Sequence, residues 1–353
     1  MNLPDRIQLV TSPVFDLLAS MFRLNAHDKL RGSIHNKDAE DPYLDNWVNQ
    51  KLKTLPTSVK EELEVFFNYE SFIGMSLVRQ SFTENKYESY AEFLEYIKEI
   101  PAAELYKCFL KTGFIKITLK DISDQQTVLE FIKGTNLPEV EKWKLTYLYL
   151  DKEETKARFI NLIQKCWNLY FEDEQEEIIQ KQQEMIQQLM DQYQLKDRDS
   201  LFAIFPHLNR DNAIPEETVI VSAPSVFYGL SSLTSFSETD DDDDDVFFQL
   251  FGIYQPAYHQ KSLMSRNELM DSFKTLADEK RIRMIQILSI QPSYGYELAQ
   301  KLELSNSTVS HHLSSLASLG IVRSTRKDSR VYYEVDKERL KEMMQGITAT
   351  LVD

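Results

Sequence analysis

The chain has 353 residues yet only 2 cysteines, 6 histidines and 9 glycines, and each scarcity excludes something. Cys108 and Cys166 belong to no CxxC motif and to no cluster with histidine, so neither a disulfide framework nor a thiolate metal site is expected, and a reducing cytoplasm is the fitting compartment. Nine glycines leave little material for a loop that cradles phosphate, and GxGxxG, P-loop, GxSxG and HExxH motifs are all missing. No catalytic residue, metal ligand or cofactor is therefore assigned. No run reaches about 18 uninterrupted apolar residues, and the opening MNLPDRIQLV lacks the basic start and apolar core of an export signal, so a soluble protein without a membrane span is expected. Few glycines and 11 prolines, in a text rich in Leu, Glu, Gln, Lys and Ile, argue against a turn-dense all-β chain.

Charge is distributed unevenly. The formal net charge is -16, which repels polyanions. Residues 262–353 escape this acidity, with 13 Lys and Arg against 12 Asp and Glu, while residues 1–261 carry 27 against 44. Within the last quarter Arg323, Arg326, Lys327 and Arg330 form a local cationic patch opposed only by Asp328.

From about residue 14 to 195 apolar residues recur at spacings of three and four, as in Phe15, Leu18 and Phe22 or Tyr90, Phe93, Leu94 and Ile97, predicting a helical body. Residues 172–195 read as one long helix with Ile178, Ile179, Met185, Ile186, Leu189, Met190 and Tyr193 on a stripe. Trp47, Trp143 and Trp167 fit either a core or a ligand cavity; the core is the more economical reading, and no ligand residue is named. After residue 200 the runs 218–222 and 246–251 are β-branched or aromatic and predict a small sheet. The six aspartates from Asp240 to Asp245 lie between those runs and read as a solvated hairpin loop, with a divalent-cation site as the alternative; cation loops need spaced ligands and usually a turn glycine. The expected architecture is mainly α: a helical body over 1–200, a small β-containing segment over 201–260 packed on it, and an α+β domain over 261–353.

That last domain has mutually consistent start and stop signals. Ser265 and Glu268 form a capping-box pattern before a first helix that buries Leu269, Phe273 and Leu276. Asp278 caps a second helix burying Ile282, Ile285 and Leu288, and Pro292 stops it. A short helix over 294–302 is followed by a tight turn and a fourth helix capped by Ser305, with Leu304 and Val309 placed as a hydrophobic staple. Two helices joined in this way make a helix-turn-helix. In the fourth helix Val309, Leu313 and Leu316 face the core, and Gly320 ends it. Asn306, Ser307, Ser310, His311 and Ser314 form the opposite face, small and polar enough to approach base edges. Residues 321–335 read as a β-hairpin with Arg326, Lys327 and Arg330 at its tip, placed to hold phosphates. Tyr332 and Tyr333 alternate across the strand, so one packs inward and the other is free to reach a DNA backbone. Leu340, Met343, Met344, Ile347 and Leu351 form a stripe that either covers the domain's own core or meets a partner.

The strings FKTLADEKRIRMIQILS (273–289) and YELAQKLELSNSTVSHHLSSLASLGIVRSTRKDSRVYYEV (296–335) closely resemble the ArsR/SmtB-type winged-helix transcriptional regulators over about 90 of the 353 residues. The resemblance implies a homodimer built from the first and last helices of the domain, here Leu269, Phe273, Leu340, Met344, Ile347 and Leu351, bound to a pseudo-palindromic operator and usually repressing. Two departures stand out. Metal-sensing members carry a Cys-x-Cys in the third helix or His and Asp in the last, whereas 293–299 reads SYGYELA and the residues after Asp336 contain neither His nor Cys. The adjacent pair His311 and His312 points about 100° apart on a helix and gathers no further ligand. Simple members also lack the roughly 260-residue extension, which is expected to respond to an unidentified effector or to enlarge the dimer interface. An enzyme, or a protein-interaction module, carrying an appended winged helix is the alternative class.

Overall fold

The structure, a computed structural model, describes residues 1–33, 42–111, 122, 124–205, 207–208, 214–236, 246–262, 266–327 and 330–352. The aspartates 240–245, Ser265, Asp328 and Ser329 lie outside the described residues, and with them the expected capping box at Ser265 and the loop or cation site at the aspartates. The chain divides into two compact units, Met1–Pro256 and Ala257–Asp353.

In the first unit the described helices are α1 (Pro13–Ser33), α2 (Pro42–Thr54), α3 (Thr57–Phe66), α4 (Ser76–Thr83), α5 (Tyr90–Glu99), α6 (Ala102–Leu110), α7 (Gln125–Gly134), α8 (Glu139–Leu150), α9 (Lys152–Cys166), α10 (Gln175–Asp191) and α11 (Arg198–Ile204). Strands β1 (Asn2–Leu3), β2 (Ile7–Leu9), β3 (Val219–Ser225), β4 (Ser232–Phe236) and β5 (Val246–Gly252) form one sheet in the order β1-β2-β3-β5-β4. This corrects the expectation of a purely helical start: the first ten residues supply two strands, and β2 pairs parallel with β3 across more than 200 residues of chain, Gln8 opposite Val221. The two runs after residue 200 are not partners in a hairpin either. They are parallel neighbours, Val221 opposite Phe248, and the hairpin is made by β4 turning antiparallel onto β5.

Helix α1 follows β2 directly. Ser12 caps it, its Oγ accepting from Phe15 N at 3.0 Å, and Pro13 occupies the first turn, where its missing N–H costs nothing. Val14, Phe15, Leu17, Leu18, Met21 and Phe22 are all fully buried, so apolar residues surround the helix and it forms the centre of the unit. Its polar residues are buried too and are held by specific partners. Asp16 accepts from Gln182 Nε2 at 2.7 Å, from Val226 N at 3.1 Å and from Ser225 Oγ, which ties α1 to α10 and to the turn leaving β3. Arg23 Nε donates to the Phe227 carbonyl at 2.7 Å. That turn ends at Gly229, whose backbone approaches Gly252 so closely that a Cβ on Gly252 would fall 2.0 Å from the Gly229 oxygen. Trp47 and Trp167 are core residues; Trp143, expected in the core from its spacing, is 71% exposed.

After α12 (Gln255–Ser262) the second unit contains α13 (Arg266–Leu276), α14 (Glu279–Ile290), β6 (Ser293–Tyr294), α15 (Gly295–Leu302), α16 (Asn306–Ser318), β7 (Val322–Lys327), β8 (Arg330–Val335) and α17 (Lys337–Val352). Its sheet runs β6-β8-β7, antiparallel throughout. Met284, Leu288, Leu298, Leu302, Val309, Leu313, Leu316, Ile321, Met343 and Ile347 form its own core. The chain is thus mainly α with an α+β winged helix-turn-helix at its end. Ile282 is 43% exposed and Phe273 40%, contrary to their expected burial; Met284 fills the core position in α14 instead of Ile282.

Candidate nucleic-acid interface

Local hydrogen bonds fix the helix-turn-helix. Asp278 caps α14 by accepting from Arg281 N at 3.0 Å, which holds its carboxyl below the usual carboxylate range, with the neighbouring His312 adding to the effect. α15 ends with Glu303 in the left-handed region (φ 54°), and Leu304 N returns to the Ala299 carbonyl at 3.0 Å. Ser305 Oγ then accepts from Thr308 N at 3.2 Å and opens α16. Leu304 packs on the core that contains Val309, as the staple requires. At the other end Gly320 (φ 73°) closes α16: Gly320 N donates to the Ala317 carbonyl at 2.9 Å and Ile321 N to Leu316 at 3.1 Å.

These constraints hold α16 in one orientation. Val309, His312, Leu313 and Leu316 are buried, while Asn306, Ser307, Ser310, His311 and Ser314 are all exposed. The structure therefore brings all five expected base-reading residues onto one solvent-facing surface. The two histidines separate as their 100° offset demands: His311 is outside, and His312 lies under the helix with Nδ1 buried and unpartnered among the described residues. Lys301, exposed in the last turn of α15 just before the turn, is a further cation beyond those expected in the wing.

In the wing, Lys327 stands opposite Arg330 and Arg326 opposite Val331, so the three cations share the closing end of the hairpin; their side chains lie outside the described residues. Arg323 is committed elsewhere, to an ion pair with Asp336, which also caps α17 by accepting from Arg339 N at 3.1 Å. Of the two alternating tyrosines, Tyr333 packs on the core, and Tyr332 meets the edge of Tyr294 with ring centroids 5.8 Å apart.

Of the residues expected at a dimer interface, Phe273, Met344 and Leu351 are 40, 47 and 59% exposed on α13 and α17, which pack together; Met270, 47% exposed, joins them. Leu269 and Leu340 are half-buried against the core. Ile347 is a correction, since it is 6% exposed and faces the domain's own core. Among the described residues no group of three His, Cys, Asp or Glu is placed to hold a metal ion, and no helix is long and apolar enough to cross a membrane.

Comparison with known proteins gives this geometry a lineage. Residues 278–324 match the model of the bacterial regulatory protein arsR family, the span from the α14 cap into the wing. The chain is 32% identical over 89 residues to a cadmium resistance transcriptional regulatory protein CadC homolog of Staphylococcus aureus, covering 24% of this chain and 74% of the relative. It is 26% identical over 84 residues to the arsenical resistance operon repressor of the same organism, covering 24% and 81%. A third relative, the transcriptional activator HlyU of Vibrio cholerae serotype O1, is 33% identical over 73 residues, covering 20% and 67%. Through its winged helix, carried behind a much larger N-terminal unit, the chain belongs to the arsR family of bacterial regulatory proteins.

Proposed function

We propose that this protein is a sequence-specific DNA-binding transcriptional regulator that acts as a homodimer in the cytoplasm, represses by occupying a pseudo-palindromic operator, and is controlled through its N-terminal unit. The observation that carries the reading is the solvent-facing row Asn306, Ser307, Ser310, His311 and Ser314 on a helix locked to its core by the opposite stripe. Short polar side chains on such a helix enter the major groove and reach base edges. Arg326, Lys327 and Arg330 at the wing tip hold the backbone, and a two-fold dimer through α13 and α17 sets half-sites about 10 bp apart.

Repression needs only occupancy, and one relative is named a repressor, although another is named an activator. The metals in the relatives' names do not transfer to this chain as effectors, because the third-helix segment here carries Tyr294 and Tyr296 where a thiolate site needs cysteines. An effector that binds the N-terminal unit shifts operator affinity by the difference in its affinity for the two states, and no further.

Selection of bound sequences from a random DNA pool tests the reading. On the recovered site, Arg330→Ala weakens binding to every sequence and reduces the salt slope by about one, for the single phosphate it ceases to neutralise, whereas Ser310→Ala changes the preference among bases. Equal losses on all DNA for both variants would refute the division of labour, and no retention of any duplex at low salt would refute the function.

A further inference from the structure

Helix α8 is seated by one face and bare on another. Leu145, Leu148 and Tyr149 are buried; the Leu145 carbonyl accepts from Tyr106 Oη at 2.7 Å, and Tyr149 Oη donates to the Ile122 carbonyl at 3.0 Å. On the solvent side Val140, Trp143, Tyr147 and Leu150 are 73, 71, 68 and 62% exposed. Single exposed apolar residues are ordinary, but a contiguous stripe of four with two large aromatics marks a contact surface.

The spacing fits a second copy of this chain as the occupant. The four positions are separated by three, four and three residues, so the pattern reads the same in both directions about Leu145. A second α8 laid antiparallel across a two-fold axis level with Leu145 places Val140 against the partner's Leu150 and Trp143 against the partner's Tyr147. An isologous interface has this reciprocity, in which residue i meets j and j meets i. The area agrees. Four side chains of this size and exposure offer roughly 500 Å² per chain, the larger part of the about 800 Å² per partner that a stable interface buries.

We propose that the α8 stripe is a self-association surface through which the N-terminal units of two copies of this chain pair by antiparallel α8 helices. The contact is separate from the α13 and α17 face of the winged unit and does not depend on DNA binding.

Cross-linking of the full chain reads the register. Val140→Cys and Leu150→Cys chains, mixed in equal amounts under mild oxidation, give a disulfide-linked dimer, while each variant alone gives about tenfold less. The native thiols add no background: Cys108 and Cys166 are buried, and burial pushes them up to about 11 and about 12. Sedimentation supplies a second measurement. A chain carrying Met344→Glu and Leu351→Glu, which disables the winged face, remains a dimer at micromolar concentration, and adding Trp143→Glu and Tyr147→Glu makes it a monomer. Cross-linking no stronger in the mixture than in either variant alone would overturn the register. Sedimentation unchanged by the α8 substitutions, as a stripe reserved for a different protein would give, would overturn the proposal.

Discussion

Asp16 offers the sharpest test of how the N-terminal unit is held together. Its carboxyl is fully buried and collects hydrogen bonds from Ser225, Gln182 and the backbone of Val226 and Phe227, all of which favour the ionised form. Desolvation outweighs them and raises the pKa from 3.8 to about 6. The sign of the consequence is the reverse of the usual carboxylate case. The unfolded chain releases this proton near pH 3.8 and the folded chain only near pH 6, so the stability linked to the protonated form is complete below the first value and lost as pH rises through the second. The full difference is about 3 kcal/mol, of which about 1 kcal/mol is recovered between pH 7 and pH 5.

Tryptophan fluorescence isolates the effect, because Trp47, Trp143 and Trp167 all lie in the first unit and the winged unit has none. Urea unfolding of wild type and Asp16→Asn is compared at pH 5, 6 and 7. The amide cannot accept from every donor around it, so the variant is offset to lower stability by about 1–3 kcal/mol. The informative quantity is the change of that offset with pH, since the other carboxylates cancel in the difference. Wild type gains about 1 kcal/mol on the variant from pH 7 to pH 5. A flat difference, or one that shrinks on acidification, would show that the four donors keep Asp16 ionised and would refute the dominance of desolvation.

Two further substitutions test the helix-turn-helix, each followed by calorimetry of the winged unit's transition. Ser305→Ala removes the acceptor for Thr308 N and costs about 1 kcal/mol, while Ser305→Thr restores most of it; an Ala variant as stable as wild type would mean the cap adds nothing to stability. Gly320→Ala costs about 1 kcal/mol through the left-handed backbone alone, because its Cβ would make only ordinary contact, 3.4 Å from Arg339 Cγ, and Gly320→Asn costs less. Equal losses for Ala and Asn would point to crowding instead.

What was legible in the sequence depends on the range of the interactions involved. Asp278, Ser305 and Gly320 were readable because each acts within five residues of itself, through a cap or a closing turn. The exposed polar face of α16 was readable for the same reason: the stripe Val309, Leu313 and Leu316 leaves only one side of the helix for the polar residues. Rotation of an evenly apolar helix was not readable. In α14, Ile282, Met284, Ile285, Ile287 and Leu288 surround most of the axis, and which of them faces inward is decided by α15, α16 and β8 packed against it. Trp143 and Ile347 failed in opposite directions for this reason, since a period of 3.6 gives a face without saying what lies opposite. Pairing of β2 with β3 was out of reach altogether: three residues, Ile7 to Leu9, carry too little pattern, and their partner is more than 200 residues away.

The charge distribution constrains how tightly such a regulator would hold any duplex. With 27 Lys and Arg against 44 Asp and Glu in residues 1–261, the larger part of the molecule repels any duplex, and the winged region at 13 against 12 hardly offsets it. Nonspecific affinity comes almost wholly from phosphate neutralisation, so in the proposed regulator it would rest on a few cations, chiefly Arg326, Lys327 and Arg330, and the repulsion opposing them reaches furthest at low salt. The base contacts proposed for α16 are short-range and depend on fit rather than on net charge. A repulsion that does not depend on base sequence enters specific and nonspecific binding alike, so the net negative charge lowers both affinities of the proposed regulator, and its discrimination between sequences rests on the short-range contacts.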